Sequence, residues 1–88
     1  MKEDKIRHYD VRIGNLEVRT PSPPSQRGLE IVQWGESSCW TIAYWQEYRE
    51  GGFFMKFVGN RPFADSISPS DFWALARVGQ EFLDEWKD

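Results

Sequence analysis

The chain is predicted to be a single α+β domain over residues 1–88. Four to five antiparallel strands, made by two hairpins and a short strand, carry one C-terminal amphipathic helix packed on one face. Three observations predict this: a tight-turn signal at Gly14-Asn15, a second at Gly51-Gly52 between two apolar runs, and a capped apolar stripe from Ile67 to Trp86.

In the first hairpin, Ile6 to Arg19, a two-residue Gly14-Asn15 loop opposes Ile13 to Leu16 and Val11 to Val18. All four apolar side chains then share one face, so turn length and hydrophobic pattern require the same register. The connection Thr20-Pro-Ser-Pro-Pro-Ser-Gln-Arg-Gly28 follows. Its three prolines fix φ and remove backbone donors, so residues 20–28 are predicted to be an extended link to the main sheet-plus-helix unit. Pro21-Ser-Pro-Pro24 also has the spacing of a short proline-rich ligand, but spacing is all it shares with one.

Leu29 to Trp34 is a short strand, ended by Gly35-Glu-Ser-Ser38, and Cys39 to Tyr48 is a long one. Phe53 to Val58 returns antiparallel to it. With Gly51-Gly52 as the loop, Trp45 pairs with Val58, Glu47 with Lys56, Tyr48 with Met55 and Arg49 with Phe54. Strict alternation then places Trp40, Ile42, Tyr44, Tyr48, Phe53, Met55 and Phe57 under the helix. Thr41, Ala43, Trp45, Glu47, Arg49, Phe54, Lys56 and Val58 fall on the other face.

The connector Gly59-Asn60-Arg61-Pro62-Phe63 holds Arg61 extended before a proline, either displaying the arginine or turning a corner that packs Phe63 inward. The helix is the best-specified element. Ser68 is an N-cap, Pro69 occupies the first helical position, and Asp71 stands three residues after the cap. Ile67 and Phe72 have hydrophobic-staple spacing. Phe72, Leu75, Ala76, Gly79, Phe82, Leu83 and Trp86 recur at three and four, with Gly79 marking a close approach to the sheet.

Composition bounds the function. Eighty-eight residues make a small core, enlarged by an aromatic content of 16% that includes five Trp and six Phe. One cysteine, Cys39, allows neither an intrachain disulfide nor a cysteine-based metal cluster, and accords with a reducing cytoplasm. No apolar run is long enough to span a membrane, and the charged, polar start lacks a signal-peptide pattern, so a soluble cytoplasmic protein without membrane association is expected. A net charge of −3, from 14 acidic against 11 basic residues, argues against a broad basic field for nucleic acid but allows a local basic strip.

Catalytic chemistry needs a nucleophile with a base, a poised acid–base pair or a metal site. The single His8 shares a strand face with Asp10 but has no third member, and Cys39 beside Trp40 reads as a small buried hydrophobe. Glu81, Asp84, Glu85 and Asp88 read as a solvated helix face rather than a metal site, and Gly51-Gly52 lacks the residues of a phosphate loop. No enzyme activity, cofactor or metal is therefore expected. The candidate binding residues are Trp45, Phe54, Arg49 and Lys56 on the sheet face opposite the helix, together with Arg61. Aromatics beside bases anchor protein partners or stack nucleobases; the same face could instead be covered by the first hairpin or by a second copy.

The stretch Trp40-Thr-Ile-Ala-Tyr-Trp45 and the helix entry Ile67-Ser-Pro-Ser-Asp-Phe-Trp-Ala-Leu75, within the layout of Leu29 to Trp86, resemble the small PC4-like single-stranded DNA-binding domains. That resemblance implies a homodimer whose sheets bind single strands through basic and aromatic side chains. The family's lysine-rich strand positions have no counterpart here. The compact, Trp-rich chain also looks like small proteins of bacteriophages, which implies a bacterial cytosolic setting. The function expected from the residues themselves is a non-catalytic binding module for a protein partner or its own copy, with single-stranded nucleic-acid binding as the alternative.

Overall fold

The computed structural model describes residues 8–21, 28–58 and 67–86. Outside them lie Ile6 of the first hairpin signal, most of the proline-rich connection, the Gly59–Phe63 connector with Arg61, and Asp88. The described chain forms the α+β layout expected of it. Strands β1 (Asp10–Ile13), β2 (Leu16–Arg19), β3 (Glu30–Trp34), β4 (Cys39–Glu47) and β5 (Phe53–Phe57) make one open antiparallel sheet in the order β1-β2-β3-β4-β5, followed by helix α1 (Pro69–Glu85).

The first hairpin has the register that its pattern requires, Val11 opposite Val18 and Ile13 opposite Leu16. Gly14 takes φ +59° while among the described residues no non-glycine has positive φ, which fits a turn needing a left-handed residue only at its first central position. The hairpin extends the sheet instead of covering its open face: Leu16 lies opposite Gln33 and Val18 opposite Ile31. The side chains of Leu16, Val18, Ile31 and Leu29 are all buried in the core beneath the helix.

Strand β4 departs from strict alternation. Ile31 pairs with Ala43 but Val32 pairs with Thr41, so Ile42 is an extra residue in β4 with no direct partner on β3. A bulge of this kind reverses the phase of alternation. Trp40, before it, and Ala43 and Trp45, after it, therefore all point towards the helix, while Thr41 and Tyr44 point away. Trp45 is buried at 4% exposure and Ala43 completely, whereas Tyr44 is exposed. The expected assignment of Trp45 and Ala43 to the open face, and of Tyr44 to the helix face, is corrected accordingly.

The second hairpin also has a longer loop than two glycines. Tyr48 N–H donates to the Gly52 carbonyl at 2.9 Å and Gly51 N–H to the Tyr48 carbonyl at 3.1 Å, so residues 48–52 form the turn, with Gly51 and Gly52 both at positive φ. Trp45 consequently faces Met55, Gln46 faces Phe54, Glu47 faces Phe53 and Tyr44 faces Lys56. The expected pairs Trp45–Val58, Glu47–Lys56, Tyr48–Met55 and Arg49–Phe54 do not form.

Helix α1 begins as predicted. Ser68 Oγ accepts the Asp71 N–H at 3.4 Å and Pro69 sits in the first turn. Leu75, Ala76, Gly79 and Leu83 are buried along the stripe, as is Trp86 at the C-cap. The helix backbone comes nearest to β2 and β1. It also meets β4 at Trp45, whose Nε1–H donates to Gln80 Oε1 at 2.9 Å, and a Cβ on Gly79 would stand 2.6 Å from the Trp45 ring. Gly79 is thus the space that Trp45 occupies, which is why a residue costing about 1 kcal/mol relative to Ala sits within the stripe.

Candidate binding surface

The two halves of the open sheet face, opposite the helix, have different chemistry. Across β1–β4 lies a closed polar network. Trp34 Nε1–H donates to Glu17 Oε1 at 2.7 Å, and the Arg12 guanidinium lies 5.2 Å from the centre of the Trp34 ring. Arg19 Nε donates to Glu30 Oε2 at 3.0 Å, while Thr41 Oγ1 donates to Glu30 Oε1 at 3.0 Å. These side chains roof Val32, which is fully buried although it points away from the helix.

Glu17 itself is almost buried, and its pKa is raised from the ordinary 4.5. Burial is the main cause, helped by the neighbouring Asp10 carboxyl and opposed by the Trp34 N–H and the Arg19 charge, with Arg19 Nη1 3.8 Å away. Among the described residues no buried side-chain polar atom lacks a partner. The network is saturated by its own members, so its role is to seal β2 and β3 from water.

Over β4–β5 the surface is aromatic and less paired. Among the described residues, the large apolar side chains that remain exposed are Tyr44 (37%), Tyr48 (50%), Phe57 (66%) and Trp73 (67%). All belong to β4, its turn, β5 or the adjoining flank of α1. On the open face, the Tyr48 and Phe54 rings are 4.4 Å apart, and Tyr44 stands opposite Lys56. On the helix side, Phe57 stacks on Phe72 with ring centres 6.0 Å apart, and Phe72 meets Trp73 at 5.8 Å. A groove of about 790 Å³ runs between α1 and this half of the sheet, lined by Trp45, Met55, Trp73, Ala76, Val78 and Gln80.

Of the binding residues expected from sequence, Phe54 and Lys56 lie on the open face and Arg49 is exposed in the β4–β5 turn. Trp45 lies on the other side of the sheet, where its ring forms the floor of the groove, and Arg61 falls outside the described residues. The arrangement adds Tyr44, Tyr48, Phe57 and Trp73, which sequence reasoning placed in the core or left unassigned. For Trp73 a signal was available, since it stands outside the three–four periodicity of the stripe.

The residues weighed for chemistry do not converge. His8 borders a shallow cavity with Tyr9, Asp10, Arg19 and Thr20 at one end of the strands, and Cys39 opens β4 opposite Trp34 at the other. Among the described residues no three His, Cys, Asp or Glu side chains are grouped to hold a metal ion. No described helix is long and apolar enough to cross a membrane. No protein-family model matches the chain, and neither the curated proteins nor the solved structures contain a match to it.

Proposed function

We propose that this chain is a non-catalytic binding module that engages a protein partner, or its own copy, through the aromatic surface of β4, β5 and the adjoining flank of α1. The observation that carries the reading is the segregation of exposed aromatics: Tyr44, Tyr48, Phe57 and Trp73 gather on one half of the molecule, while the other half is closed by the helix and by ion pairs. Contiguous exposed apolar surface marks interaction sites, and aromatic side chains are enriched in the buried centre of interfaces. Phe57→Ser with Trp73→Ser should abolish partner capture or self-association while leaving the thermal midpoint within a few degrees of the parent. Undiminished association in the folded double variant would overturn the reading.

Single-stranded nucleic acid is the second ligand class favoured by a specific observation, the Tyr48–Phe54 ring pair on the open face that also carries Lys56, with Arg49 exposed in the adjoining turn. Exposed rings next to cations are the elements of sequence-tolerant base stacking, as the resemblance to single-strand-binding domains implies. Titration with a short oligonucleotide separates the two classes. Binding at low salt that weakens steeply as salt rises, and weakens on Lys56→Glu, supports the nucleic-acid reading; no binding at low salt removes it.

A further inference from the structure

Resting on the proposed binding reading, we infer that the partner is a second copy of this chain, joined by antiparallel pairing of the two β5 edges about a two-fold axis through Met55. Among the described residues β5 has no strand beyond it, and its backbone polarity follows from the pairing with β4. Val58 N–H donates to the Ile42 carbonyl at 3.0 Å and Tyr48 N–H to the Gly52 carbonyl, so the even-numbered residues of β5 face β4. The N–H and C=O of Met55 and Phe57 consequently point outwards along the edge.

The strand Phe53-Phe54-Met55-Lys56-Phe57 is nearly self-complementary. About a two-fold axis at Met55, the two Met55 residues exchange backbone hydrogen bonds as a direct pair. Phe57 meets Phe53 of the copy on the groove side, and Lys56 meets the Phe54 ring of the copy on the open face, an aromatic pair and a cation–π pair respectively. The neighbouring register, centred on Lys56, sets two ammonium groups opposite each other and is disfavoured. A single lysine thus excludes the register shifted in that direction. Pairing also brings the exposed Phe57 side chain of each copy beside the groove, covering apolar surface that the helix leaves open.

The opposite edge is not built this way. Strand β1, Asp10-Val-Arg-Ile13, places two charges on the open face within four residues, and Tyr9 before it stacks on Phe82 of the helix at 4.3 Å. Short length, charge and a covering helix are how sheet edges avoid association. One edge is guarded and one is complementary to itself.

The test is sedimentation of the intact chain over a concentration series, with amide hydrogen exchange at matched concentrations. A reversible dimer is expected, with the Met55 and Phe57 amides slowing as concentration rises. Met55→Pro removes an outward donor without touching the β4 ladder, and Phe57→Lys adds charge to the edge; each should weaken the dimer by about tenfold or more. Glu36→Ala, in the exposed turn between β3 and β4 and away from this edge, should leave it unchanged. Should Met55→Pro not fold, Phe57→Lys decides alone. A monomer at every concentration, or a dimer that the folded edge variants do not weaken and whose Met55 and Phe57 amides ignore concentration, overturns the self-pairing. The broader binding reading fails separately, only if the Phe57→Ser with Trp73→Ser variant keeps whatever association the parent shows.

Discussion

The two halves of the sheet are made from similar residues but are finished differently. Over β1–β3, the helix backbone lies close on one side, and ion pairs with Trp34 close the other, so Leu16, Val18, Ile31, Val32 and Gln33 lose all contact with solvent. Over β4–β5 the helix backbone stands farther off, and side chains bridge the gap, Trp45 to Gln80 and Gly79, and Phe57 to Phe72. The exposed aromatics are on this second half. The difference lies in where the helix is placed and not in local hydrophobicity.

Trp45 is the joint between the halves, and its removal should have the largest effect. Trp45→Ala empties the space between β4 and α1, deletes the Gln80 hydrogen bond and joins the groove to the core. Truncation of a buried aromatic costs about 3–5 kcal/mol, a large share of the stability of a domain this size. Chemical denaturation should show that loss at an unchanged slope. A loss below about 1 kcal/mol would mean that the helix is held by β1 and β2 alone.

Gly79 tests the same joint from the helix side. Alanine improves helix propensity by about 1 kcal/mol, yet its methyl would lie 2.6 Å from the Trp45 ring, closer than packed atoms approach. Overpacking costs about 1–3 kcal/mol, so Gly79→Ala should destabilise by up to about 2 kcal/mol after the propensity gain. In the background of Trp45→Phe, which withdraws the far edge of the indole, the same change should become neutral or stabilising. A double-mutant cycle without such coupling would separate the glycine from the ring.

How far this was legible follows from which signals are local. The helix carried its start, stop side and buried face in adjacent residues: Ser68 and Pro69 at the cap, then Leu75, Ala76, Gly79 and Leu83 at helical spacing. The first hairpin was equally local, since one turn and four apolar residues agree. The candidate surface was not. The extra residue at Ile42 leaves no mark in the apolar pattern, because Ile42, Ala43, Tyr44 and Trp45 form a continuous apolar run that fits either phase of alternation. Bulge and five-residue turn each depend on neighbouring strands, and together they exchanged Trp45 with Tyr44 between faces. Phe54 and Lys56 kept their face because β5 runs without interruption. The glycine in the stripe was the one sequence mark of the indole above it.

The closed half should show itself in pH. Glu17 has its pKa raised by burial and by Asp10, so the folded state holds that proton more tightly than the unfolded chain. The resulting stabilisation is fully present below the ordinary value near 4.5 and is lost as pH rises through the folded pKa. Glu17→Gln keeps an oxygen for the Trp34 N–H and removes the charge. Its thermal midpoint relative to the parent should therefore rise as pH increases from about 4.5 towards neutrality. A midpoint difference that is flat with pH would exclude Glu17 as the titrating group.

The smallest stability effect belongs to the open half. Phe57 and Tyr44 are exposed and add little to the buried core, so Phe57→Ser and Tyr44→Ala should each change unfolding free energy by no more than about 0.5 kcal/mol, as surface substitutions do. The contrast with Trp45→Ala, at the position next to Tyr44 on the same strand, is then about sixfold or more. That ratio depends on concentration if the edge self-associates, because a dimer stabilises the fold by mass action. Phe57→Ser should then cost more in a concentrated sample than in a dilute one, while Glu36→Ala, in the exposed turn between β3 and β4, costs the same in both. Measuring the two variants at two concentrations thus separates a residue exposed without consequence from one exposed because its partner has not yet arrived.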